Sequence, residues 1–70
     1  MLPLVMAVPG ELNSIKKIGG KDETRRHLAE LGFVVGGEVK VISCLGGNLI
    51  LAVKDSRIAL DCSLASRIMV

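Results

Sequence analysis

Apolar and polar positions along the chain change their period once and then change back. Leu2, Leu4 and Met6 alternate with Pro3, Val5 and Ala7. This predicts a strand over Leu2 to Val8, apolar on both faces or lying at an edge that tolerates Pro3. Pro9-Gly10 turns the chain. Glu11 to Ile18 sets Leu12, Ile15 and Ile18 among polar residues, a weaker strand pattern that Gly19-Gly20 ends. From Lys21 to Leu31 the period becomes helical, because Thr24, Leu28 and Leu31 fall on one stripe while Arg25, Arg26 and Glu30 fall elsewhere. Asp22 and Glu23 stand in the first turn, where the helix dipole favours carboxylates, and Gly32 supplies a left-handed stop. The spacing lets Asp22 pair with Arg26 and Glu23 with His27. A helix of about three turns is marginal in water by itself, so Leu28 and Leu31 must pack on something.

Beyond the helix, Phe33 to Val35 leads to Gly36-Gly37, after which the period falls to two. Val39 and Val41 alternate with Glu38 and Lys40, followed by Ile42, Cys44 and Leu45. Gly46-Gly47-Asn48 is a tight hairpin turn, since these residues accept positive φ readily. The next strand carries Leu49, Leu51 and Val53 on one face and Ile50 and Ala52 on the other, apolar enough on both to be central. Lys54-Asp55-Ser56 turns again, Arg57 to Leu60 alternates, a helical turn covers Cys62 to Ala65, and Ile68 to Val70 closes the chain as a strand. The sum is mainly β: a small barrel of about five to six short strands with one inserted helix. Closing a sheet into a barrel is the economical way to remove its edges at this length.

Seventy residues make one domain, and such a chain buries only about 60% of the surface its unfolded form exposes. A large internal cavity for a substrate is not expected. With 50% apolar residues and a net charge of +2, disorder is excluded as well. Phe33 is the only aromatic residue. The core is therefore aliphatic, and the stacking platforms used by single-strand nucleic-acid binders and by proline-peptide grooves are missing. No apolar run approaches the ~20 residues that span a bilayer, and Met1 to Val8 has no Lys or Arg and is too short for a signal-peptide core. A soluble, cytoplasmic domain is expected.

Catalytic chemistry finds little to stand on. Gly20-Lys21 is followed by Asp22, and Ile15 occupies the position five before Gly20, so a phosphate-cradling P-loop fails twice; GxGxxG is absent. His27 is the only histidine, on the helix beside Arg26, and no nucleophile is paired with it. Cys44 and Cys62 form no CxxC, and they are read as two buried thiols acting as small hydrophobes. Paired ligands of the structural-zinc kind are absent, which leaves His27, Cys44 and Cys62 as the sole candidate metal ligands and no cofactor implied. Lys16, Lys17, Lys21, Arg25 and Arg26 all precede residue 27. That concentration suits an acidic protein surface or phosphate, yet +2 overall is far from the basic excess of a duplex binder.

Gly20 to Phe33, followed by Val34-Val35-Gly36-Gly37, and the later Ser56-Arg57-Ile58-Ala59-Leu60 together resemble the FeoA family of ferrous iron transport proteins. The likeness covers essentially the whole chain. Two departures stand out: Val35 lies where the family usually has proline before Gly36, and Asp61-Cys62-Ser63 replaces a charged final turn. The resemblance implies an SH3-like barrel and a cytoplasmic accessory, not an enzyme, that contacts the cytoplasmic, GTPase-bearing part of the membrane transporter FeoB. The membrane is then reached only through that transporter.

The surface expected to make the contact is the inserted helix. Lys21, Arg25 and Arg26 would steer the partner, with Leu28 at the contact or, preferably, in the core. Phe33 is expected in the core as well, so polyproline binding is not expected. Two other classes stand beside this one: a nucleic-acid-binding small barrel, and a metal-sensing regulatory domain built on His27 and the two sulfurs.

Overall fold

The computed structural model describes all residues, 1–70. After a single 3₁₀ turn at Leu4–Met6 come β1 (Leu12–Ser14), β2 (Lys17–Ile18), α1 (Asp22–Glu30), β3 (Glu38–Leu45), β4 (Asn48–Val53), β5 (Ser56–Asp61), α2 (Cys62–Ala65) and β6 (Ile68–Met69). Two antiparallel sheets result, one of four strands in the order β1-β3-β4-β5 and one in which β2 pairs with β6. The six short strands and the inserted nine-residue helix match the expected class.

The longest strands are those whose alternation was clearest. Val39 and Val41 on β3 and Leu49, Leu51 and Val53 on β4 are buried, while Glu38, Asn48 and the C-terminal end of β3 face water. Gly46 and Gly47 take φ of 58° and 81°, both left-handed, which is the two-residue hairpin turn whose twist matches the strands it joins. The β4–β5 turn reaches the same region without glycine: Lys54 sits at φ 54°. A register shift between Val41 and Ser43 breaks the alternation of β3, and the end of the strand beyond it, Ser43 to Leu45, is exposed.

Two expectations near the N-terminus need correction. Leu2 to Val8 is not a strand. Leu2 and Val70 exchange backbone hydrogen bonds (2.8 Å each) and Pro3 bridges Met69, but the ladder stops there. Proline lacks the N–H that a ladder needs, and its φ of −63° starts a tight turn in which Met6 N–H donates to the Pro3 carbonyl. Leu4 alone drops into the core, leaving Met1, Leu2, Val5, Met6 and Val8 exposed. Glu11 to Ile18 is likewise two strands rather than one. Ile15 is buried at the crossing, with its N–H on the Gly37 carbonyl and its carbonyl on the Gly36 N–H (2.8 and 2.9 Å). From Lys16, whose N–H donates to Met69, the chain belongs to the second sheet. This corner is how one short segment serves both sheets.

Twelve residues form one core, all of them apolar, and no polar side chain is buried. Phe33 is completely enclosed, as are Leu4, Leu28, Val39, Leu51, Ala65 and Ile68. The expected role of Phe33 in packing holds. The two cysteines correct the sequence reading: Cys44 is exposed and Cys62 only half-buried. Cys44 lies across from the buried Leu49 but at the exposed end of β3, and Cys62 opens α2 at the rim of the core rather than inside it.

Candidate functional site

Helix α1 is seated on the barrel at its C-terminal end. Leu31 caps it, Gly32 follows at φ 106°, the Gly32 N–H donates to the Ala29 carbonyl (3.0 Å) and the Phe33 N–H to that of Leu28 (2.9 Å). This is the Schellman arrangement, and its usual apolar contact across the turn is formed by Leu28 and Phe33, both fully buried. A Cβ at Gly32 would stand 3.7 Å from Val53, in ordinary contact, so the requirement for glycine comes from its backbone angle. Leu31 and Thr24 lie half-buried beside Leu28, which completes the inward stripe.

The expected contact residues divide on this geometry. Lys21, Arg25 and Arg26 are exposed. Leu28 is not available to any partner; it is the peg that holds the helix, because the three- and four-residue spacings from Thr24 and to Leu31 put it at the centre of the inward face. The helix as a whole is not basic, since Lys21, Arg25 and Arg26 are offset by Asp22, Glu23 and Glu30. Its charges are instead sorted by side. Lys21 and Arg25 share one flank, with Asp22 beside Arg25; Glu23, His27 and Glu30 share the other, and Arg26 lies on the outward ridge between them. The acidic flank and Arg26 rim a shallow hollow with Thr24, and Leu64 from α2 lies against it.

The single ion pair of the chain joins Arg25 to Asp22, one turn apart. Neither of the expected pairs, Asp22 with Arg26 or Glu23 with His27, forms. Asp22 reaches Arg25 on the adjacent ridge, and this leaves Arg26 free of intramolecular partners. Both ends of the ion pair are solvated, so it contributes at most about 1 kcal/mol.

Sequence reasoning missed Arg67. The pairing of β2 with β6 lays Gly19 against Arg67, whose carbonyl accepts the Gly19 N–H at 2.7 Å, and the Arg67 side chain rims a second hollow with Gly20, Lys21 and Thr24. The basic flank thus comprises Lys21, Arg25 and Arg67. Nothing in the local sequence marked this, because the two segments are brought together by tertiary pairing alone.

The weak metal candidates do not converge. No group of three or more His, Cys, Asp or Glu side chains forms, and His27 lies on α1, in the hollow described above, away from the sulfurs. Cys44 and Cys62, in contrast, are neighbours at one end of the large sheet. Cys44 lies opposite Leu49, Leu49 opposite Leu60, and the Cys62 N–H donates to Gly47 in the turn. Burial pushes the Cys62 thiol above its ordinary value, and the adjacent Cys44 and Asp61 add to the shift. Both thiols are free. Asp61 caps α2: its Oδ1 accepts from the Ser63 N–H (2.7 Å) and the Ser63 hydroxyl (2.5 Å). The hydroxyl and then the N–H hold the Asp61 carboxyl below the usual carboxylate range.

Comparison with known proteins fits this architecture. The FeoA domain model matches residues 2–70. A protein of Methanocaldococcus jannaschii named Fe(2+) transport protein A is 37% identical over 70 residues, spanning 100% of this chain and 85% of its own. A crystal structure described as an iron uptake regulatory protein (FeoA) superposes with a TM-score of 0.87 at 28% identity, covering 96% of this chain and 89% of the other. A Stenotrophomonas maltophilia FeoA, solved with zinc and described as a prokaryotic SH3 domain protein with a candidate role as a ferrous iron transport activating factor, gives 0.61 at 34% identity over 83% and 72%. A manganese-dependent transcriptional repressor shares the fold alone, with a TM-score of 0.84 at 17% identity over 94% of this chain and 38% of the repressor.

Proposed function

Because the chain belongs to the FeoA family, we propose that it is an accessory of ferrous iron transport that binds the cytoplasmic part of a FeoB-type transporter through the exposed side of α1 and modulates transport. The observation that carries the reading is the division of labour within α1. Leu28 fixes the helix from below, while Lys21, Arg25 and Arg67 along the basic flank and Arg26 on the outward ridge form an exposed cationic border, in which only Arg25 is engaged, with Asp22. Such a border speeds encounter with an acidic surface and sets orientation more than it adds affinity. A closed apolar core with no buried polar group supports a binding role over a catalytic one.

The test is titration of the purified cytoplasmic domain of the transporter with this chain by calorimetry, at low and high salt. Replacing Arg25 and Arg26 together by Glu is expected to weaken binding at least about tenfold. It should move the thermal midpoint little, since both are surface positions. Undiminished binding by the folded double variant would remove α1 as the contact. RNA binding of comparable strength and steep salt dependence would instead favour the nucleic-acid reading.

A further inference from the structure

The outer edge of β5 is an unpartnered strand whose charges complement themselves. β5 ends the four-stranded sheet, and no residue from Ser56 to Asp61 makes a backbone hydrogen bond outside its ladder with β4. The two-residue turn Lys54-Asp55 makes Val53 and Ser56 the hydrogen-bonded pair that closes the hairpin. Hydrogen-bonded and non-hydrogen-bonded pairs alternate along an antiparallel ladder. Ser56, Ile58 and Leu60 therefore direct their N–H and C=O groups to β4, and Arg57, Ala59 and Asp61 direct theirs outward. All three of these are exposed.

Edges left open are ordinarily blunted by lysine, proline, a bulge or shortness. The opposite edge, β1, has only three residues. β5 has six, with no lysine, proline or glycine, and its pairing with β4 is unbroken. If two copies meet antiparallel about a two-fold axis through Ala59, Ala59 faces Ala59 as a hydrogen-bonded pair, and Arg57 of each copy faces Asp61 of the other. The outward main-chain groups are the ones this register requires. Asp61 can take part as well, since it is exposed and its two hydrogen bonds with Ser63 both fall on Oδ1.

We propose that two copies of this chain join through β5, antiparallel and centred on Ala59, into one continuous eight-stranded sheet with reciprocal Arg57–Asp61 pairs. Opposite charges directly across such a ladder favour association, and like charges oppose it.

Sedimentation equilibrium from micromolar to millimolar protein, with amide exchange read at Ala59, tests this. The weight-average mass should climb towards that of two chains, and Ala59 protection should climb with it. Arg57→Glu sets Glu against Asp61 at both ends of the axis and is expected to weaken dimerisation about tenfold or more. Asp61→Arg sets Arg against Arg57 and should do the same. An equimolar mixture of the two variants restores both attractive pairs and should dimerise as the unaltered chain does. Asp61→Arg also removes the α2 cap, so its fold is checked by circular dichroism; if it fails to fold, Arg57→Glu and the Ala59 exchange data decide. The proposal is overturned if the chain stays monomeric with an unprotected Ala59 amide, if dimers survive Arg57→Glu, or if folded charge-swapped variants do not rescue each other. It is equally overturned if Ala59 becomes protected only by an extended peptide of another protein.

Discussion

Leu28→Ala is the perturbation that most directly tests how α1 is held. The side chain is fully buried, and its carbonyl accepts the Phe33 N–H in the capping turn. Truncation removes an isopropyl group, about three methylene equivalents at ~0.8 kcal/mol each. The hole it leaves, between Phe33 and the barrel, raises the cost into the range of roughly 2–5 kcal/mol seen for buried leucines. At about 0.05–0.15 kcal/mol per residue, a chain of 70 residues has roughly 3.5–10 kcal/mol in total. The variant should therefore lose about a fifth or more of its stability and melt roughly 8–40 °C lower. With no Trp or Tyr, urea unfolding is followed by far-ultraviolet circular dichroism, and amide exchange reports on α1 itself. Leu28→Met, which conserves volume, should cost less than about 1.5 kcal/mol. If Leu28→Ala costs under about 1 kcal/mol and the α1 amides stay protected, the helix is not docked through this residue.

Two further outcomes concern the ends of the helices. Gly32→Ala should destabilise the fold by about 1–2 kcal/mol in urea melts, because φ 106° is closed to a residue with a Cβ although there is room for one. Asp61 bears on the acid limb. Its folded pKa lies below the unfolded value, so its share of stability is present above the ordinary carboxylate range and is lost as pH falls through the lowered folded value. Asp61→Asn keeps a capping acceptor but no charge; a plot of urea midpoint against pH should be flatter for this variant over that range, and an unchanged slope would refute the assignment.

The sequence carried the parts of the fold that rest on local pattern and glycine punctuation. The period of two in β3 and β4, the Gly46-Gly47 turn and the helix ended by Gly32 were all readable, because each is fixed within a few residues of itself. The misreadings share a cause. Leu2 to Val8 alternates like a strand, yet only tertiary pairing with Met69 and Val70 decides where the ladder stops, and Pro3 stops it at once. Glu11 to Ile18 has one pattern and serves two sheets, since the crossing at Ile15 depends on Gly36-Gly37, some twenty residues away. The thiols were misplaced because Cys44 falls at the exposed end of β3, and their adjacency depends on the register of three strands. Arg67 joined the cationic border through the β2–β6 pairing, which no local signal announces.

The two substitutions on α1 also separate two explanations that a single binding assay would confuse. Leu28→Ala and the paired reversal of Arg25 and Arg26 should both reduce capture by a partner, but through different terms. The first lowers the population of folded chain, so its defect should shrink as temperature falls below the variant's melting point and vanish when binding is corrected for the folded fraction. The second leaves that population intact, so its defect should persist at every temperature where the chain is folded and should narrow as salt screens the charges on both sides. A charge reversal whose effect ignored ionic strength would mean that Arg25 and Arg26 act through packing of their long stems. The cationic border would then be a consequence of where the helix sits, with no part in choosing its partner.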